Sequence, residues 1–175
     1  MAFWTSEQSS PKRKFRFKVE ITGFDGNSAV WWAKSAKKPS FTIAAAEHKY
    51  LNHTFHFPGN VTWDPCTMTL VDPAGGEDGV DAMQLLLEVI KKTGYAIPSD
   101  ASDLNTITKS QGVSGTGTVK ITQISGDNLT QEYWELRNAW VAKVDGGELS
   151  YGEDTLSEIN IEVRYDWAVC GIGDG

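Results

Sequence analysis

The residues of this chain that could bind a metal or move a proton are few and scattered. His53 and His56 stand three apart, with His48 before them and Cys66 after. Zinc gathers such donors into a tetrahedron. On an extended segment a spacing of three sends side chains to opposite faces, so surface or interface histidines are expected and no metal centre. Acidic pairs such as Glu153-Asp154 fall among turn-forming residues. Nothing there would push two carboxyl pKa values apart, as acid–base catalysis requires. Gly112-Val113-Ser114-Gly115-Thr116-Gly117 has the outline of a nucleophile elbow around Ser114. An elbow needs glycine where Thr116 stands, and a strand–turn–helix setting that this stretch lacks. Gly171-Ile172-Gly173-Asp174-Gly175 has no helix after it to hold a pyrophosphate, so it is no dinucleotide fingerprint. No catalytic, cofactor-binding or metal residue is assigned, no cofactor is expected, and the chain reads as a non-enzyme.

Two cysteines are too few for a disulfide framework. Cys66 and Cys170 are expected as free thiols, and Cys170, beside a glycine-rich end, is the candidate for a contact between subunits. A formal net charge of −7 argues against tight binding to a phosphate backbone, which takes clustered cations. The one basic cluster, Lys12-Arg13-Lys14 with Arg16 and Lys18, opens a predicted strand and reads as a charged, solvated edge. No apolar run reaches the roughly 18 residues of a membrane span. The first residues are not a basic patch followed by an apolar stretch, so no secretory signal is predicted. The Asn-x-Thr triplets at Asn52, Asn60 and Asn128 are then expected to be silent.

The framework that must position these residues is β-rich. Ile159, Ile161, Val163, Tyr165, Trp167 and Val169 alternate with Glu158, Asn160, Glu162, Arg164 and Asp166, the pattern of a strand with one apolar and one wet face. Before it, residues 133–144 carry Trp134, Leu136, Trp140 and Val144 on one parity, and Asp145-Gly146-Gly147 ends the run. Phe15, Phe17, Val19 and Ile21 mark an opening strand. A turn at 23–28 is short enough to make a hairpin with a second strand over 29–35, which holds Trp31-Trp32. Residues 40–57 read as a long aromatic loop, followed by a turn at Pro58-Gly59-Asn60. Exposed aromatics mark assembly or binding surfaces, and a loop of that length is uncommon without a task. Residues 61–71 form a strand interrupted at Asp64-Pro65, where proline predicts an edge or a bulge. Residues 80–93 form the one convincing helix, with Val80, Met83, Leu86, Leu87 and Ile90 on a stripe and Gly94 to end it. Residues 97–117 read as a polar excursion with a helical turn near 102–106. A strand over 118–124 and a turn at 125–128 lead into the closing pair. The predicted fold is mainly β, sandwich- or barrel-like and mostly antiparallel, with one flanking α-helix and long assembly loops, in one domain over 1–175.

Seven tryptophans are many for this length. Trp134, Trp140 and Trp167 have core parity; Trp4, Trp31 or Trp32, and Trp63 are harder to bury together. An acidic, Trp-rich β-sandwich fits two classes: a carbohydrate-binding module that stacks rings on sugars, or an assembly subunit with tryptophan at its interfaces.

The order of motifs bears on that choice. Tyr50-Leu51-Asn52-His53 leads through Phe57-Pro58-Gly59 to Val61-Thr62-Trp63-Asp64-Pro65 and Thr67-Met68-Thr69-Leu70-Val71-Asp72. Further on come Trp134-Glu135-Leu136-Arg137-Asn138-Ala139-Trp140, Leu149-Ser150-Tyr151-Gly152, Leu156-Ser157-Glu158-Ile159 and Val163-Arg164-Tyr165-Asp166-Trp167. With Phe17-Lys18-Val19-Glu20-Ile21 at the start, this series resembles the major tail tube protein of contractile-tailed bacteriophages, a tube family shared with type VI secretion and phage-like injection systems. The segment 96–117 and the end beyond Trp167 depart from that pattern. The resemblance implies a homohexameric ring, stacked helically into the hollow tube of a virion tail inside a contractile sheath. Implied partners are other copies of the chain, the tail sheath, tape-measure, baseplate and tail terminator proteins, and genomic DNA that passes at ejection without specific binding. Assembly would take place in the host cytoplasm. A baseplate-proximal or secretion-type tube paralogue would share the fold. Within this reading 1–13 is an N-terminal arm, 40–57 the assembly loop and 168–175 a Gly-rich tail. Phe3, Trp4, Phe41, Tyr50, His53, Phe55 and Phe57 become the expected self-assembly interface. Glu158, Glu162 and Asp166 become a candidate acidic row facing the lumen or a neighbour, and Cys170 the inter-subunit thiol.

Overall fold

A computed structural model describes residues 12–23, 33–73, 82–95, 98, 106–152 and 154–173. Among these the order is β1 (Phe17–Ile21), β2 (Ala33–Ala36), β3 (Phe41–Tyr50), β4 (His53–Trp63), β5 (Cys66–Val71), α1 (Ala82–Lys92), α2 (Lys109–Thr116), β6 (Val119–Ile124), β7 (Thr130–Arg137), β8 (Trp140–Asp145), β9 (Glu158–Arg164) and β10 (Trp167–Ile172). One sheet has the order β1-β6-β7-β10, the other β2-β5-β9-β8, and β3 with β4 stands apart as a two-stranded ribbon. All pairings are antiparallel.

Alternation becomes core through register. Cys66, Met68 and Leu70 lie opposite Val163, Ile161 and Ile159, all buried. Val19 and Ile21 lie opposite Ile121 and Val119 on the other sheet, and Leu136 faces Val119. Ala82, Leu86 and Val89 of α1 complete a single apolar cluster with residues of both sheets. The mainly-β, antiparallel class with a flanking helix is as the alternation predicts.

Several local expectations give way. The opening strand does not form a hairpin with the next one. β1 pairs with β6, and β2 pairs with β5 in the other sheet, because the matching apolar faces are distant in sequence. The chain leaves β1 at Thr22-Gly23, whose backbone N–H groups donate to the carbonyls of Thr118 and Thr116 at 3.0 Å. A side chain at Gly23 would collide with the carbonyl of Gly115, so only glycine fits there. The expected Trp31-Trp32 strand lies outside the described residues apart from its end. Helix α1 forms where the stripe predicts, and Gly94 follows it with φ 93, but the buried face is Ala82, Leu86 and Val89: Leu87 is exposed, Met83 and Ile90 are only partly covered, and Val80 lies outside the described residues. Helix α2 lies in what reads as an excursion. It starts on a capping box between Thr108 and Gln111. It buries Gly112 and Gly115, which let it lie close to Trp140 and to Thr93. A helix that packs through glycines leaves no apolar stripe in the sequence. The expected turn near 102–106 falls, except for Thr106, outside the described residues.

The two closing strands each break at one corner. β7 passes through Asn138-Ala139 into β8 of the other sheet, and β9 passes through Tyr165-Asp166 into β10. Asn138 takes φ 54, and the Asp166 N–H donates to the Arg137 carbonyl at 3.0 Å, joining the two bends. The corner resets the parity. Tyr165 is buried, yet Trp167 beyond it is 47% exposed, and Trp140 is 37% exposed although Leu136 is buried. Core parity for Trp140 and Trp167 is therefore corrected. The sheets meet at this corner but do not close into a barrel, and β1, β10, β2 and β8 remain as edges. The expected Gly-rich tail over 168–175 is largely strand β10, which reaches Ile172.

Ile161 sits where both sheets contribute to the core. Truncation to alanine should cost about 2–5 kcal/mol, read as a lower urea midpoint with an unchanged slope.

Candidate assembly site

The expected loop over 40–57 is the β3–β4 ribbon, tightly turned at Leu51-Asn52. Leu51 takes φ 53 there. The predicted turn at Pro58-Gly59-Asn60 lies inside β4. It marks a register slip between Ile43 and Ala45, where β4 carries one extra residue, a β-bulge. A side chain at Gly59 would lie 2.9 Å from the Ala44 carbonyl oxygen, which accounts for glycine at the bulge.

All ten residues of β3 are exposed, and of β4 only Thr54 and Trp63 are partly covered. The register shows why the sequence hides this ribbon. Near the body, Phe41, Ile43, Val61 and Trp63 share one face. Near the tip, Tyr50, Phe55, Phe57 and His53 share the other. Apolar residues change faces along the arm, so the run shows no clean period of two.

All five expected residues Phe41, Tyr50, His53, Phe55 and Phe57 lie on this arm, but Phe41 stands at its root on the opposite face from the other four; all but His53 are large exposed hydrophobics. Phe3 and Trp4, the other expected interface residues, lie outside the described residues, as do residues 1–11 of the expected N-terminal arm. All three histidines belong to the ribbon: His53 meets the Phe55 ring edge-on at 4.7 Å, and His56 stands 3.7 Å from Glu47. Among the described residues no group of three or more His, Cys, Asp or Glu could hold an ion. Ser114 is exposed within helix α2, in no strand–turn–helix elbow.

The candidate acidic row is not continuous in charge. Glu158 pairs with Lys34, and Glu162 with Arg164 at 3.2 Å. Asp166 lies in the corner itself, outside β9. Lys109 at 2.6 Å and Asn138 at 2.7 Å hold its carboxyl below the usual carboxylate range. Cys170 is exposed on the edge strand β10, and Cys66 is buried. Burial pushes the Cys66 thiol up to about 12, against the opposing pull of Lys37. It is a protonated donor to the Lys37 carbonyl at 2.7 Å, not a nucleophile.

Sequence reasoning missed Glu132. This partly buried carboxylate of β7 binds Lys12 ahead of β1 and, at 2.9 Å, Lys38 ahead of β3. The Trp134 indole donates to it at 2.5 Å. Lys38 also donates to Gln123 at 2.7 Å. Lys12 and Lys38 come from two segments distant in sequence, and only the fold assembles them.

Solved structures share this architecture along nearly the whole of both chains. One chain belongs to the anti-feeding prophage baseplate, determined by cryo-EM with 6-fold symmetrisation. It is 14% identical, covers 93% of this chain and 97% of its own length, and gives a TM-score of 0.66. A chain of the sheath–tube complex of the extracellular contractile injection system PVC, in the extended state, is 15% identical, with 98% and 99% covered and a TM-score of 0.63. A chain of the anti-feeding prophage tube-terminating cap is 18% identical, with 98% and 99% covered and a TM-score of 0.62. No protein-family model matches the chain, and no curated protein matches it. The fold is thus one shared with chains of contractile injection-system assemblies: a baseplate, a sheath–tube complex and a tube cap.

Two measurements check this geometry. Lys12 first, then Lys38, hold the Glu132 carboxyl down at about 2, against an ordinary 4.5. Its contribution to stability is complete above about pH 4.5 and is lost as the pH falls towards 2. Glu132→Gln should flatten that limb of a plot of urea midpoint against pH. A thiol reagent should label Cys170 in the native subunit and Cys66 only after unfolding.

Proposed function

We propose that this chain is a structural, non-enzymatic subunit of the tube of a contractile injection machine. Copies close into hexameric rings, and the rings stack into a hollow tube. The observation that carries this is full-length agreement of fold with chains of a sheath–tube complex and a tube cap, joined to an arm whose apolar faces are exposed among the described residues. An isolated two-stranded hairpin is marginal in water, and open sheet edges invite pairing with another chain. A heterologous interface that closes a ring covers edges, and ring-on-ring contact covers the arm. The interface in this reading is Phe41, Tyr50, His53, Phe55 and Phe57 of the arm, with Phe3 and Trp4 from the N-terminal segment and Cys170 as a thiol near a neighbour. Glu158, Glu162 and Asp166 face the channel or an adjacent copy.

The partners in this reading are the sheath outside, baseplate and terminator proteins at the ends, and a tape-measure protein during assembly in the host cytoplasm. At −7 per copy, a six-membered ring carries −42, which repels phosphate and lets genomic DNA pass in a phage tail. The neighbours with the better fit belong to injection systems, which favours the injection-type paralogue over a phage tail as the setting. The sugar-binding reading finds less support: the two described tryptophans that are exposed, Trp140 and Trp167, stand on edge strands of different sheets.

Negative-stain electron microscopy of purified protein should show rings or tubes. A stable monomer whose tryptophan fluorescence shifts with oligosaccharides would sink the proposal. Replacing residues 44–60 by Asn-Gly, which rejoins the paired Ile43 and Val61, should leave a folded subunit that makes no tubes. Undiminished polymerisation would remove the arm from the interface.

A further inference from the structure

Among the described residues the arm is exposed along its length and is held at its root. The Ser40 hydroxyl donates to the Asp64 carboxylate at 2.8 Å, and the Asp64 N–H donates to the Ser40 carbonyl at 2.9 Å. This reciprocal pair closes the ribbon where β3 begins and β4 ends. Phe41 stacks on Trp63 at 5.0 Å between centroids, and Trp63 on Tyr165 at 5.8 Å, with the ring planes tilted. Tyr165 is buried at the corner where β9 leaves its sheet, and its burial pushes the phenol up to about 12. The lead-in to β3 is pinned as well. The Lys37 N–H donates to the Thr67 carbonyl at 2.9 Å, the Lys37 carbonyl accepts from Cys66, and Lys38 reaches Glu132.

We infer that Asp64, Trp63 and Tyr165 are positioning residues that aim the β3–β4 arm before any neighbour is met. A strand of ten residues at about 3.3 Å each is a lever of about 33 Å, so a tilt of about 10° at the root moves the tip by about 6 Å. That displacement exceeds a strand spacing, which is about 4.8 Å, and would put Tyr50, Phe55 and Phe57 against the wrong surface. The aromatic chain ties the direction of the lever to the corner that joins the sheets. Reciprocal hydrogen bonding at Ser40 and Asp64 keeps the two strands together at their most loaded point. The Trp63-Asp64-Pro65 run acquires a cause in each residue: Trp63 packs on the corner, Asp64 locks the ribbon, and Pro65 separates β4 from β5. Orienting the arm in advance lowers the ordering cost of docking. What the aimed arm is for rests on the tube reading; its aim does not.

Spin labels separate the two. Cys170 is an exposed native attachment point and Cys66 is buried, so Asn52→Cys adds the only further label, at the tip. On dilute subunits, electron–electron double resonance should give one narrow distance distribution between the labels. Trp63→Ala and Asp64→Ala should broaden it roughly twofold or more, while Trp63→Phe restores it and Asp64→Ala leaves the melting transition of the body cooperative. In a sedimentation assay the broadened variants should form fewer tubes at a given concentration. A distribution as broad in the parent protein as in Asp64→Ala overturns the inference. A narrow distribution in a protein that never assembles leaves the inference standing and overturns the tube reading.

Discussion

The constraint on which this fold depends is the shared corner at which two strands change sheets. β7 becomes β8 and β9 becomes β10 within a few residues of each other, joined by the Asp166–Arg137 hydrogen bond. Because both members of a pair turn together, each sheet receives one half of a continuous ribbon. The inner faces are thereby held opposite one another over Met68, Leu70, Ile159, Ile161 and the residues of β1 and β6. A turn through the corner also reverses which parity faces inward. Trp140 and Trp167 are consequently placed on edge strands, partly in water.

The same corner organises the surface. Tyr165 packs inward from it and supports Trp63, so the direction of the exposed arm is referred to the core rather than to a surface loop. Lys109 of α2 and Asn138 of the β7–β8 bend both bond Asp166, which fastens the glycine-packed helix to the place where the sheets meet. A partly exposed ion pair such as Lys109–Asp166 contributes little by itself; its value here is geometric, since it joins α2 to the corner of the two sheets. The result is a subunit with a small, well-packed centre and unsatisfied borders: four sheet edges and a ribbon with apolar patches on opposite faces. Among the described residues nothing covers these borders, which is the physical ground of the assembly proposed above.

The strands whose side chains alternate against one core, such as β1, β5 and β9, were legible in the sequence, as were the place of helix α1 and its end at Gly94, though not which of its residues are buried. The sequence also held a series of motifs whose order agrees with the observed fold. In these segments the local period and the final environment coincide, so no distant information is needed. Tertiary structure alone decided the rest. β1 chose β6 over its neighbour in sequence because Val19 and Ile21 find Ile121 and Val119 there. Helix α2 had no stripe because its contacts are made by Gly112 and Gly115. The β3–β4 ribbon was illegible because its apolar residues change faces at mid-length. The cluster around Glu132 draws on residues far apart in the chain. The acidic alternation through Glu158, Glu162 and Asp166 looked like one row, but a strand's period persists only while the strand stays straight. At Tyr165 the backbone turns a corner, and from there the third dimension, not the repeat of two, sets where each side chain points.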